Sequence, residues 1–128
     1  MAKMRKFKTG AIRDTDEGKI NYARGLSPIV IQRYGEFMLK HNAQVDGGHR
    51  DEGNWKKGFT KQTYMESKFR HFVATWLIND GFLFDIDREE FIESLCAELF
   101  NTMGMMHVLL LEQRTAKAKK VKKTKPNK

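Results

Sequence analysis

From residue 27 onward, polar and apolar positions alternate with helical period in three stretches. Ser27-Pro28 opens the first, with a hydroxyl to accept an orphan amide and a proline suited to the first helical position. Val30, Ile31, Tyr34, Phe37, Met38 and His41 fall on one face, and Gln32, Arg33, Glu36 and Lys40 on the other. That pattern predicts a helix over about 28–42, weakened at Gly35. The second runs from Thr60 to about Ile78 and stops at Asn79-Asp80-Gly81. Met65, Phe69, Phe72, Val73, Trp76 and Leu77 form its expected buried stripe, flanked by Glu66 and Arg70. Tyr64, Ser67 and His71 project from the opposite side. Asp87 caps the third, whose Glu89 and Glu90 favour the positive helix end. It is expected to reach Glu112 with a core stripe of Ile92, Leu95, Leu99, Met103, Met106 and Leu110, leaving Glu90, Glu93, Ala97 and Asn101 together on the other face.

Residues 1–26 keep neither period and carry Gly10, Gly18 and Gly25, which reads as an extended or looped arm. Between His41 and Trp55 the composition is that of a loop, and His41 and His49 read as structural rather than as metal ligands. The expected fold is therefore all-α: a bundle of about three main helices over 27–113, an N-terminal arm over 1–26 and a C-terminal tail over 114–128. Two polar faces remain, one with Tyr64, Ser67 and His71 and one with Glu90, Glu93 and Asn101. They either form a cleft or are covered by a partner chain. The run Met103 to Leu111, interrupted only by Gly104 and His107, calls for burial on more than one side, so a dimer or higher oligomer is expected.

A chain of 128 residues, 40% hydrophobic and 31% charged, is sized for one soluble domain. No apolar run approaches the roughly 18 residues of a membrane span, and the basic N-terminus lacks the apolar core of an export signal. Cys96 is the only cysteine, so the chain forms no internal disulfide and reads as a packed thiol in a reducing compartment, the cytoplasm. The net charge of +8 resides entirely in residues 114–128, which hold eight basic side chains and no acid; residues 1–113 balance 16 bases against 16 acids. With so little apolar surface to offset its ordering entropy, that tail is expected to be disordered. It serves either a weak, salt-sensitive contact with nucleic acid or solubility alone.

The stretch from Asn54 to His71 holds the most concentrated candidate chemistry. An indole and two lysines in a Gly-closed turn lead into an amphipathic helix carrying Arg70-His71, a loop-helix junction of the kind that receives phosphate. The plainer reading makes Trp55 a core plug and the lysines solvated. Glu90 and Glu93, three apart on one helical face, either form a solvated surface or share a divalent cation whose other ligands are waters and phosphate oxygens.

Phe7, Thr9-Gly10-Ala11, Arg13-Asp14, Gly18-Lys19 and Tyr22, then Asn54-Trp55, Lys57-Gly58 and Arg70-His71, together resemble the phage dATP/dGTP diphosphohydrolases, or MazZ-like proteins. These are small relatives of the all-α MazG-type nucleoside triphosphate pyrophosphohydrolases, and the similarity spans about residues 7–112. The resemblance implies cleavage of a purine deoxynucleoside triphosphate between its α and β phosphates, with Mg²⁺ or Mn²⁺, in the cytoplasm of the host cell if the chain is phage-encoded. It implies substrate-binding roles for Lys19, Asn54, Trp55, Lys57, Arg70 and Asn101, catalytic roles for His71 and Glu93, and no membrane. Family members often carry His-Leu-x-His in the last helix; here those positions are Ser94 and Ala97, and Glu90 and Glu93 are expected to take over as metal ligands. The alternative is a non-catalytic helical phage accessory protein that binds nucleotide or nucleic acid.

Overall fold

A computed structural model describes residues 3–42, 56 and 58–124. Two short strands and four helices follow in order: β1 (Met4–Lys6), β2 (Ile12–Asp14), α1 (Tyr22–Gly25), α2 (Pro28–Lys40), α3 (Lys61–Asn79) and α4 (Arg88–Thr124). The chain divides into two compact units, Met1–Gly35 and Glu36–Lys128.

In the first unit the expected arm contains a hairpin. β1 and β2 pair antiparallel, Met4 with Asp14 and Lys6 with Ile12. The loop closes through Phe7 N–H to Ala11 O at 2.9 Å, with Gly10 at φ +90°, a conformation that disfavours any side chain. Arg5 joins the hairpin to the next turn, 3.0 Å from Asp16 and with its guanidinium over the Phe7 ring.

The helix boundaries follow from local chemistry. Ser27 Oγ accepts from Val30 N–H at 3.4 Å, ahead of Pro28 in the first turn of α2. Thr60 caps α3 through Thr63 N–H at 3.1 Å. At the other end of α3, Phe82 N–H reaches Leu77 O at 2.9 Å and Gly81 N–H reaches Ile78 O at 3.2 Å, with Gly81 at φ +80°. That pair of bonds is a Schellman closure, and it needs the glycine. Asp87 Oδ1 accepts from Glu90 N–H at 2.8 Å to start α4.

In the second unit α3 and α4 pack along their length and run antiparallel, since Lys61 pairs with Glu112, Tyr64 lies at Gly104 and Thr75 bonds Ser94. The face that is covered reverses the expectation. Tyr64, Cys96, Ala97 and Asn101 are buried, whereas Met65, Phe69, Phe72, Val73, Trp76 and Leu77 on α3 are exposed, as are Leu95, Leu99, Met106 and Leu110 on α4. In α2, Tyr34 and Phe37 are buried as expected, but Val30 and Ile31 are exposed. Small residues explain the choice of face: Ala74, Ser94, Ala97 and Gly104 on the polar faces let two helix backbones approach closely, which the bulky stripes do not.

The expected disordered tail is a second correction, because α4 continues as helix through Thr124. No glycine or proline interrupts Glu112 to Thr124, Ala and Lys are good helix formers, and extension from an existing helix avoids the cost of nucleation. α4 also has the length and composition of a membrane span, although the residue runs gave no such expectation. The core helix of a soluble protein passes the same test, and Glu93 and Glu98 within α4 are engaged with neighbouring helices.

Candidate active site

The α3–α4 seam is polar because each helix turns its non-stripe face inward. Counting 100° per residue, Tyr64, His71 and Thr75 lie on one side of α3, opposite Phe69 and Trp76. On α4, Ser94, Ala97, Glu98 and Asn101 lie opposite Leu95 and Leu99.

Thr75 occupies the middle of the seam. Its Oγ1 lies 2.8 Å from Ser94 Oγ, 2.7 Å from Glu98 Oε2 and 2.9 Å from the carbonyl oxygen of His71. One hydroxyl proton serves one acceptor at a time, so the Thr75 hydrogen is shared between a carboxylate and a backbone carbonyl. One turn towards the start of α4, Glu93 Oε1 lies 2.8 Å from His41 Nε2 and 3.3 Å from Lys40 Nζ. The His41 ring packs on Phe37, with centroids 4.3 Å apart. Glu93 is the acid that ties the end of α2 to α4.

Further along, Asn101 is only 6% exposed and its Nδ2 donates to Ala97 O at 2.8 Å. Tyr64 then closes the seam: it is 2% exposed, meets Phe59 edge-on at 5.7 Å, and covers Gly104. Burial pushes its phenol above the ordinary value of 10.0.

Of the residues expected to act, Asn101 and His71 lie on the seam faces, with His71 half-buried, and Glu93 turns to Lys40 and His41 at the end of α2. Glu90 is exposed in the first turn of α4, and Arg70 is exposed on α3. Lys19 lies in the first unit, beside the Gly18 turn that its amide closes onto Asp16 O at 2.9 Å. Asn54, Trp55 and Lys57 lie outside the described residues. Ser94 and Ala97, where the resembled family carries histidines, both belong to the seam. Sequence reasoning missed Thr75, Glu98 and His41. Helical spacing carried the signal for the first two, since Thr75 is four residues after His71 and Glu98 four after Ser94.

Among the described residues, no group of three or more His, Cys, Asp and Glu side chains gathers to hold a metal ion. No known family model, curated protein or solved structure matches the chain.

Proposed function

We propose that the seam is the site of a nucleotide pyrophosphohydrolase that converts dATP or dGTP to the monophosphate and pyrophosphate with Mg²⁺ or Mn²⁺. The observation that carries this reading is the inverted packing: α3 and α4 set the half-buried Thr75, Ser94 and Glu98 and the buried Asn101 between them, with Glu93 held by Lys40 and His41 at the end of α2, while their aromatic and aliphatic stripes stay exposed. Carboxylates and hydroxyls projecting into a helical pair are the setting in which bundles build phosphate and metal chemistry.

Mg²⁺ does not require an all-protein cage; one or two carboxylates with waters and substrate phosphates suffice, and Glu90 and Glu93 in one turn of α4 supply that donor set. When bound, the cation would neutralise phosphate oxygens and lower the pKa of a water. Lys40 and His41 hold the Glu93 carboxylate in position, and Thr75 holds Glu98. His71 is placed on the same face of α3 as Thr75, where it takes the role of proton acceptor. On the resemblance, Lys57 and Arg70 would supply cations for the triphosphate, and Asn54, Trp55 and Asn101 would contact the nucleoside. The reaction belongs to the cytoplasm, where its substrates are.

Pyrophosphate release from the purified protein with each deoxynucleoside triphosphate and Mg²⁺ or Mn²⁺ tests the proposal. Turnover confined to dATP and dGTP is expected; no turnover with any of them rejects it. A second reading, a non-catalytic nucleic-acid-binding protein, has its own observation: Arg114 to Lys123 forms an exposed helical extension with six basic and no acidic side chains.

A further inference from the structure

The outward stripe of α3 has an order that packing among the described residues does not use. Gln62, Met65, Phe69, Phe72, Trp76 and Asn79 follow one another at intervals of 3, 4, 3, 4 and 3, the alternation of a coiled-coil seam. Read from either end the series has the same character: an amide, a bulky apolar group, a phenyl ring, then a phenyl ring, a bulky apolar group and an amide. Its midpoint falls between Arg70 and His71, and it is about 26 Å long. Phe69 is 61%, Phe72 49% and Trp76 59% exposed.

We infer that this stripe is the contact surface for a second copy of the chain, with two α3 helices packed antiparallel about a two-fold axis through that midpoint. Phe69 of one copy then meets Phe72 of the other, Met65 meets Trp76, and Gln62 meets Asn79, each contact occurring twice as an isologous interface requires. Aromatic rings pair with rings and a thioether with an indole, both favourable combinations. The antiparallel sense is selected by size and by charge. A parallel pair would put two indoles at one level and two thioethers at another, forcing the axes to splay, and would align the helix dipoles. Antiparallel pairing gives every level similar bulk and opposes the dipoles.

The area is sufficient. At roughly 200 Å² per ring, the three aromatic side chains leave on the order of 300 Å² in water on each copy. With Met65, Val73 and the exposed amides of Gln62 and Asn79 added, a symmetric pair reaches the class of about 1,000 Å² at which specific association begins. Because the stripe is centred about 110° round the helix from Tyr64, His71 and Thr75, pairing through it leaves the α3–α4 seam in place and does not depend on what that seam does.

Sedimentation of the full chain at micromolar concentration tests this inference. The wild type is expected at twice its 14.9 kDa. Phe69→Glu and Phe72→Lys are each expected to sediment as monomers with unchanged helical circular dichroism, since both side chains are exposed within one chain. Mixing the two variants should restore a pair, because the new carboxylate of one faces the new ammonium of the other while Phe72 of the first meets Phe69 of the second. Leu99→Glu, on the outward face of α4, should leave the mass unchanged. A monomeric wild type, a Phe69→Glu variant that still pairs, or a loss of pairing caused by Leu99→Glu alone would overturn the surface assignment. A mixture that stays monomeric would overturn the register.

Discussion

Tyr64 and Gly104 are in such close register that a Cβ on residue 104 would stand 2.5 Å from Tyr64 Cζ and 2.9 Å from its Oη. The ring cannot step aside cheaply, since it is 2% exposed and backed by Phe59. Gly104→Ala gains about 1 kcal/mol of helix propensity but costs about 1–3 kcal/mol in overpacking. A net loss of up to about 2 kcal/mol is expected, read from urea denaturation midpoints. In a double-mutant cycle, Tyr64→Ala should abolish most of the penalty; equal penalties in both backgrounds would show that the ring is not its source.

The same ring sets an alkaline limit. The Tyr64 phenol is neutral when protonated and its value in the folded chain lies above 10.0. As pH rises past about 10, the unfolded chain gives up this proton first, so the stability contribution present below that pH is lost through the window up to the folded value. Unfolding midpoints measured from neutral to strongly alkaline pH should fall less steeply above 10 for Tyr64→Phe than for wild type, a difference that separates Tyr64 from other titrating groups.

The two acidic positions at the start of α4 separate in their effects on stability. Glu90→Gln and Glu93→Gln are each expected to abolish cation-dependent turnover. Glu90 is exposed, and its loss should change stability by no more than about 0.5 kcal/mol. Glu93 binds His41 and Lys40, so its replacement should cost about 0.5–1 kcal/mol more. Thermal melts with parallel pyrophosphate assays distinguish the two, and wild-type rates in both variants would place the metal elsewhere.

Thr75→Val keeps the shape of the side chain and removes its hydroxyl. Glu98 and Ser94 then lose their partner across the seam, at a cost of about 1–3 kcal/mol for partly buried polar groups. Thr75→Ser should retain most of that stability. A Thr75→Val variant as stable as wild type would show that the hydroxyl contributes nothing across the seam.

Removing residues 114–128 should leave the melting temperature and any nucleotide hydrolysis unchanged, while lowering the helical circular dichroism signal by the share of α4 beyond Gln113. Binding to DNA or RNA, measured across a salt series, should disappear with the segment. A salt-insensitive complex with the truncated chain would contradict this.

The starts of α2, α3 and α4 and the end of α3 were legible because each is set by a few neighbouring residues: Ser27-Pro28, Thr60, Asp87 and Asn79-Asp80-Gly81 all act within one turn of the boundary they define. Which face of a helix is covered is a tertiary property, and periodicity alone misassigned it. The stripe through Phe69 and Trp76 is real, but Ala97 and Gly104 opened a closer approach on the other side. The polar faces with His71, Glu93 and Asn101 were legible as faces, and their mutual packing was one of two readings left open. Thr75 and Glu98 escaped because a lone hydroxyl and a lone carboxylate acquire meaning only when two helices set them 2.7 Å apart. Composition also misled at the C-terminus, where lack of packing was taken to mean lack of helix.

The continuity of α4 has an electrostatic consequence. A flexible cationic tail would fold back onto the carboxylates of its own chain and compete with any cation there. Helix instead holds Arg114 sixteen residues beyond Glu98, about 24 Å away along the axis, and the next five cations farther still. At physiological salt that is about three screening lengths. The basic end of α4 and the carboxylates at its start therefore lie beyond each other's electrostatic reach, two separate territories on one helix.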